Sequence, residues 1–288
     1  MDWHDIRDPN DPELDRLADR YQLHPLHVED CRHRSQSAKI EETQHYLFIV
    51  LKPVERNEDG TLQIDDLDLI LGRDFLITVQ ESPGGNVRRI LDQARTAWHG
   101  VHADQLFYSI MDGVVDSYLP TLDRFDDVID ALEDEVLENP SPSVLARIFR
   151  TKRGLIELRR VLGNMRDLAG HLQRTNSELM RQEMWPFLRD IYDHLARNLD
   201  MVEMQRDLLT GALDIYLSSV ANRTNRIMKI LTVLGTVALP AIVISSFYGM
   251  NLKNLPWLES PYAPVIVTAL MAGSTALLVL LLRILRWF

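Results

Sequence analysis

The stretch Ile230–Pro256, ILTVLGTVALPAIVISSFYGMNLKNLP, decides the fold. Its first 19 residues, through Tyr248, carry no charge. As a helix they would run about 28 Å at roughly 1.5 Å per residue, close to the hydrocarbon thickness of a bilayer. Phe247–Pro256, FYGMNLKNLP, then breaks the apolar run with a glycine, a methionine and an uncharged asparagine. A second uncharged run, YAPVIVTALMAGSTALLVLLL, spans Tyr262–Leu282. The competing reading is a buried hairpin in a soluble core, but two long uncharged runs in series are hard to bury in a chain of this size.

The bases orient the two spans. Arg223, Arg226 and Lys229 precede the first, Arg283 and Arg286 follow the second, and the connecting segment offers only Lys253 against Glu259. Basic residues favour the cytoplasmic side, so both termini are expected inside and the loop 249–261 outside. Tyr248, Trp257, Tyr262 and Trp287 fall where amphipathic rings sit at membrane interfaces.

Charge divides the chain in the same way. The net charge is −11, yet residues 221–288 hold six bases and one acid, while residues 1–220 hold 25 bases and 41 acids. An acidic body on a small basic apolar tail argues against nucleic acid as a partner, because phosphate binding needs a basic surface. The single cysteine, Cys31, permits no internal disulfide and suits a reducing compartment. The opening MDWHDIRDPNDPELD has neither a basic head nor an apolar core, so the acidic body is expected in the cytoplasm.

Within that body, residues 1–115 mix strand and helix signals. HYLFIVL (His45–Leu51), LDLIL (Leu67–Leu71) and FLITV (Phe75–Val79) read as strands, with Gly72-Arg73-Asp74 turning between the last two. DPELDRLADRYQL reads as a helix opened by Asp-Pro. From about Asp104 the pattern becomes helical. Leu122, Phe125, Ile129, Leu132 and Val136 form one apolar stripe, Asn139-Pro140-Ser141-Pro142 breaks it, and a second helix is expected from Ser143 to Met180. A third begins near Trp185 and, continued through the first span, covers about 60 residues or roughly 95 Å. Such a helix needs partners, and identical subunits are the simplest source. The expected divisions are a cytoplasmic α/β domain at 1–115, a hairpin and stalk helix at 116–229, and a membrane domain at 230–288. The fold class is α+β followed by a long-helix stalk and two C-terminal spans.

Candidate sites follow from these faces. Stepping by three and four, one side of the stalk and first span reads Asn225, Met228, Thr232, Gly235, Leu239, Ile242, Ser246, Gly249; the other has Ile230, Val233, Val237, Ala241 and Ile244. Small and polar residues favour the first side and aliphatic ones the second, so a ring of such helices can enclose a pore, although packing in a two-span anchor explains the same pattern. The hairpin's acidic face, Asp123 to Glu138, either gathers divalent cations or simply keeps the body soluble. His24 and His27 straddle Pro25, which argues for a loop leading into a helix start rather than a metal site. The chain contains no P-loop, dinucleotide-binding glycine pattern, nucleophile elbow or cysteine pair, and no catalytic role is expected.

Gly249-Met250-Asn251, placed between two C-terminal spans, resembles the signature of the CorA family of divalent metal transporters. The likeness extends through YLSSVANRTNRIMKILT (Tyr216–Thr232), FLRDIYDHL (Phe187–Leu195), FLITVQE (Phe75–Glu81) and HPLHVED, essentially the whole chain. The resemblance implies a funnel-shaped homopentamer in the cytoplasmic (inner) membrane that passes Mg²⁺, and also Co²⁺ or Ni²⁺, with the first spans lining the pore. It makes Gly249, Met250 and Asn251 a selectivity filter, and makes Met228 with Leu239 an apolar gate. It also assigns Asp190 to a regulatory Mg²⁺ site that closes the pore. Ile242 replaces a threonine frequent in the family, the external loop lacks the usual acids, and SPGGN after Glu81 lacks an acid expected opposite Asp190. A Zn²⁺ transporter of the same fold, resembling ZntB, and a non-transporting membrane scaffold are the alternatives.

Overall fold

A computed structural model of the chain describes residues 1–33, 36–57, 61–80, 85–100, 102–175, 178–250, 256–257 and 260–284. Asn251, Lys253, Asn254, Leu255 and Glu259 of the expected external loop lie outside the described residues, as do Glu81, Ser82, Pro83, Gly84, Arg286 and Trp287. The described chain divides into two compact units, Met1–Ile215 and Tyr216–Phe288.

The first unit opens with strand β1 (Asp2–Ile6), helices α1 (Pro12–Tyr21) and α2 (Pro25–Arg32), and strands β2 (Lys39–Glu42) and β3 (Tyr46–Leu51). A small hairpin, β4 (Val54–Arg56) with β5 (Leu62–Ile64), precedes β6 (Leu67–Gly72) and β7 (Phe75–Gln80). The main sheet has the order β1-β7-β6-β3-β2, antiparallel except for the parallel pair of β1 with β7. The three strands expected from the sequence form its centre. β3 and β6 are buried along their whole length; β3 reads as a continuous apolar run, and β6 carries Asp68 within one. On one face Leu14, Leu17, Val28 and Cys31 from α1 and α2 join Phe48, Val50, Ile70, Ile77 and Val79 in one core. The opposite face packs against α4 (Ala103–Asp116), which is itself backed by α3 (Gly85–Ala97).

The two histidines around Pro25 serve this core. His24 caps α2, its Nδ1 accepting from the Leu26 N–H at 3.2 Å. Buried His27 lies 2.8 Å from the Tyr46 hydroxyl through Nδ1 and 3.0 Å from Glu41 through Nε2. Tyr46 also accepts the His24 N–H at 2.8 Å, so its hydroxyl ties the start of α2 to the His27 ring and to β3.

The helical part begins with α4 and is broken at Ser117-Tyr118, a break that the apolar stripe does not reveal. Tyr118 turns inward there, and its buried hydroxyl donates to the Lys52 carbonyl at 2.7 Å. Helix α5 (Leu119–Glu138) buries all five stripe residues against α6 (Pro142–Arg174). The hairpin fits closely at one point: a Cβ on Gly154 would stand 3.0 Å from the Phe125 ring. Helix α6 stops six residues before the expected Met180. Thr175 leaves the helical conformation with its hydroxyl on the His171 carbonyl at 3.0 Å. Beyond it, Arg181 is held outside any helix by buried Asp104, which accepts its Nε at 2.8 Å and Nη2 at 2.9 Å.

A short 3-10 turn (Gln182–Met184) then starts α7 (Trp185–Tyr248), as expected near Trp185. Its first part is anchored by Leu188, Ile191, Leu195, Val202 and Leu209, and by buried Gln205, which donates to the Leu122 carbonyl at 3.0 Å and to Asp126 at 2.7 Å. The second unit contains the remainder of α7 and α8 (Ala263–Ile284), each with a stretch long and apolar enough to cross a membrane.

Candidate functional site

Beyond Tyr216 no residue of α7 is fully buried by its own chain. The helix runs through Gly235 and Pro240 without a break; Pro240 lacks an N–H, so the Thr236 carbonyl receives no backbone donor from it. Asn225, Met228, Thr232, Gly235, Leu239, Ile242, Ser246 and Gly249 are all exposed, with Met228, Leu239 and Ile242 each about 60% so; the helix is exposed all round from Ala221 to Thr232, and only beyond Thr232 does the chain cover one side more than the other. Val233, Val237, Ala241 and Ile244, on the other side, are partly covered, whereas Ile230 is exposed. The described residues thus bring the predicted face together as one continuous uncharged strip.

At the end of that strip the Gly249 N–H donates to the Ser245 carbonyl at 2.9 Å, closing the last turn. A Cβ on Gly249 would stand 3.0 Å from that same carbonyl oxygen and 3.6 Å from that of Ser246. A side chain here would be tight against the helix's own backbone, and glycine avoids that contact. Met250 is half exposed in the single chain. Asn251 follows, outside the described residues.

The second candidate centre lies in the first unit, where α4 meets the start of α7. The Tyr108 ring sits 5.1 Å from that of Phe187, and behind them stand Asp112, Asp116 and His194. One ligand atom of each lies within 4.8 Å of the others. Exposed Asp190 joins this group, its Oδ1 3.6 Å from His194 Nε2. Burial, then Asp116, raises the Asp112 carboxyl above the usual carboxylate range; His194 opposes the shift and Asp190 adds to it. The Tyr108 hydroxyl is pushed up to about 12 by burial and by the same three carboxylates. The centre gathers three carboxylates, and a bound cation would relieve their mutual repulsion. The carboxylates suit a hard, hydrated ion such as Mg²⁺, and the imidazole suits Co²⁺ or Zn²⁺ better.

Among the described residues, the acids facing Asp190 come from α4. Asp112 and Asp116 are four apart in MDGVVDSY, so they share a helix face, and that spacing was the available signal. Nothing local joins them to α7.

The family described as CorA-like Mg²⁺ transporter protein matches residues 1–283. A cobalt/magnesium transport protein of Thermotoga maritima is 35% identical over 278 residues, spanning 95% of this chain and 79% of that protein. The solved magnesium transporter of Methanocaldococcus jannaschii superposes with a TM-score of 0.86 at 26% identity, covering 98% of this chain and 89% of that one. The cytoplasmic domain of ZntB from Vibrio parahaemolyticus shares the fold alone, with a TM-score of 0.65 at 14% identity over 76% of this chain and 88% of that one.

Proposed function

Because the chain belongs to the CorA-like Mg²⁺ transporter family, we propose that it moves Mg²⁺, and Co²⁺ beside it, through a pore lined by the second part of α7. One observation carries this reading: the uncharged strip from Asn225 to Gly249 is left open by its own chain along its whole length. One helix encloses nothing, so the reading requires a ring of copies, and a homopentamer in the cytoplasmic membrane with both termini inside is the assembly it takes.

The chemistry follows from the ion. Mg²⁺ sheds water reluctantly and prefers oxygen ligands. A ring of Asn251 amide oxygens, with Gly249 carbonyls beside it, hydrogen-bonds a hydrated ion without stripping it, and neutral amides hold it loosely enough for release. Met250 contributes a soft thioether that is a poor ligand for a hard cation. Rings of Met228 and Leu239 side chains form apolar constrictions, which close a pore by excluding water.

Asp190, His194, Asp112 and Asp116 form the regulatory centre in this reading. Internal Mg²⁺ held there favours the closed arrangement by binding it better than the open one. The nitrogen ligand gives a second reading, a Zn²⁺ transporter of the same fold, its observation being His194 within the cluster.

Uptake of Mg²⁺, Co²⁺ and Zn²⁺ into liposomes carrying the purified chain tests these readings. Mg²⁺ entry driven by membrane potential and lost in Asn251→Ala is the expected result. Entry of Zn²⁺ alone moves the protein to the zinc reading, and flux indifferent to Asn251→Ala removes the pore.

A further inference from the structure

We propose that adjacent copies of this chain meet through their helical hairpins, the acidic outer face of α5 in one copy lying against the basic outer face of α6 in the next. The inference rests on the ring of copies proposed above and adds which surfaces meet within it.

The two helices carry opposite charge. Among Asp, Glu, Lys and Arg, α5 holds eight acids and one base, and α6 holds eight bases and two acids. Antiparallel neighbours of opposite sign could neutralise one another across the hairpin. Among the described residues only Arg147 and Glu135 do so, Nη1 to Oε1 at 2.6 Å. The apolar stripe explains why: it turns Leu122, Phe125, Ile129, Leu132 and Val136 toward α6, and the acids consequently point away. Asp127, Asp130 and Asp134 on α5 are exposed, as are Arg150, Arg153 and Arg160 on α6, and none has a charged or hydrogen-bonding partner among the described residues.

The levels of the two charge sets match. Glu135 is bonded to Arg147, and the Phe125 ring fits against Gly154, so Asp127–Asp134 and Arg150–Arg153 occupy the same part of the hairpin. Rotation about a common axis carries each hairpin to its neighbour without changing its height, and this brings acids and bases to corresponding levels. Contacts of α5 with α5, or α6 with α6, would set like charges together. The α5-to-α6 contact is head-to-tail, the kind that closes into a ring. Phe149 and Ile156, each about half exposed, stand among the α6 arginines and supply apolar area to the same face. Exposed ion pairs add little affinity one by one; a matched run fixes the direction and register of the contact.

Cysteine cross-linking of the full-length chain in detergent tests this. Asp130→Cys and Arg153→Cys are made separately, then co-expressed, and each sample is oxidised. The expected result is cross-linked dimers from the mixture and none from either variant alone or from the parent, whose Cys31 is buried. Cross-linking within a single variant overturns the proposal, because like faces would then meet. So does its absence in a mixture whose light-scattering mass is still that of a ring, an outcome that leaves the transport reading intact. A monomeric parent overturns the ring and this surface together. As an independent measurement, Asp127→Lys with Asp130→Lys, and Arg150→Glu with Arg153→Glu, should each reduce the multi-subunit fraction several-fold at low salt. Combining all four changes in one chain should restore it, and failure to restore counts against the proposal.

Discussion

The Asp112 carboxylate on α4 and the His194 imidazole on α7 place their ligand atoms within 4.8 Å of each other, although 81 residues separate them in the chain. With Asp116 and Asp190 they form a cluster of carboxylates and one imidazole, the donors of the proposed regulatory centre. His194→Ala is expected to weaken Co²⁺ binding about tenfold, roughly 1.4 kcal/mol, and Mg²⁺ binding far less. Asp112→Asn is expected to weaken both. Isothermal titration of the purified chain with each ion, beside the inhibition of uptake by internal Mg²⁺, distinguishes these patterns; equal losses for both ions in His194→Ala would remove the imidazole from the ligand set.

Gly249→Ala places a methyl 3.0 Å from the Ser245 carbonyl. The last turn of α7 must give by a few tenths of an ångström to accept it, at an energy on the order of 1 kcal/mol. Mg²⁺ uptake is expected to fall about tenfold or more while the oligomer mass on light scattering stays unchanged. Uptake equal to that of the parent would show that the close approach has no part in the pore.

Asp68 is buried on β6, with Oδ1 lacking a hydrogen-bond partner. Burial, then Asp66, raises its carboxyl well above the ordinary range; Lys52 opposes, Asp30 adds, and the Cys31 thiol bonds to it. Folding therefore favours the protonated acid, and stability falls as pH rises from about 4 toward the folded-state value. Asp68→Asn should raise the Tm at neutral pH, by about 2–4 °C for each kcal/mol recovered, and the gain should vanish near pH 4. Calorimetry at both values checks this, and a variant less stable than the parent at neutral pH refutes it.

Tyr118→Phe removes the donor to the Lys52 carbonyl and leaves that group buried. The expected loss is about 1–3 kcal/mol of stability, read by urea denaturation, with the helical circular dichroism of the native state retained. A loss within error would mean that water reaches the carbonyl.

Much of the architecture was legible because its signals are local. The uncharged runs marked the membrane helices by length alone, and Asn139–Pro142 ended α5 where it was expected to end. The 3.6-residue period identified every buried position of the α5 stripe. On α7 the same period placed Asn225 to Gly249 on one side, which the chain leaves uncovered. Helix α6 ends six residues short of Met180, before Thr175, at a position that no glycine or proline marks in the sequence. Strand β1 escaped notice because it joins the sheet only through its parallel pairing with β7.

What the sequence by itself determined is whatever a short window decides: two spans, a helical hairpin, a long third helix, three central strands and the Gly249-Met250-Asn251 tripeptide after the first span. Length, periodicity and missing N–H groups act within a few residues, so no partner is needed to read them. The tertiary structure alone decided which acids face Asp190, that His27 is held between Tyr46 and Glu41, and that Asp68 is buried with its Oδ1 unpaired among the described residues. Those outcomes depend on charges and dipoles brought together by packing, and in a buried setting their energies are set by neighbours far away in sequence.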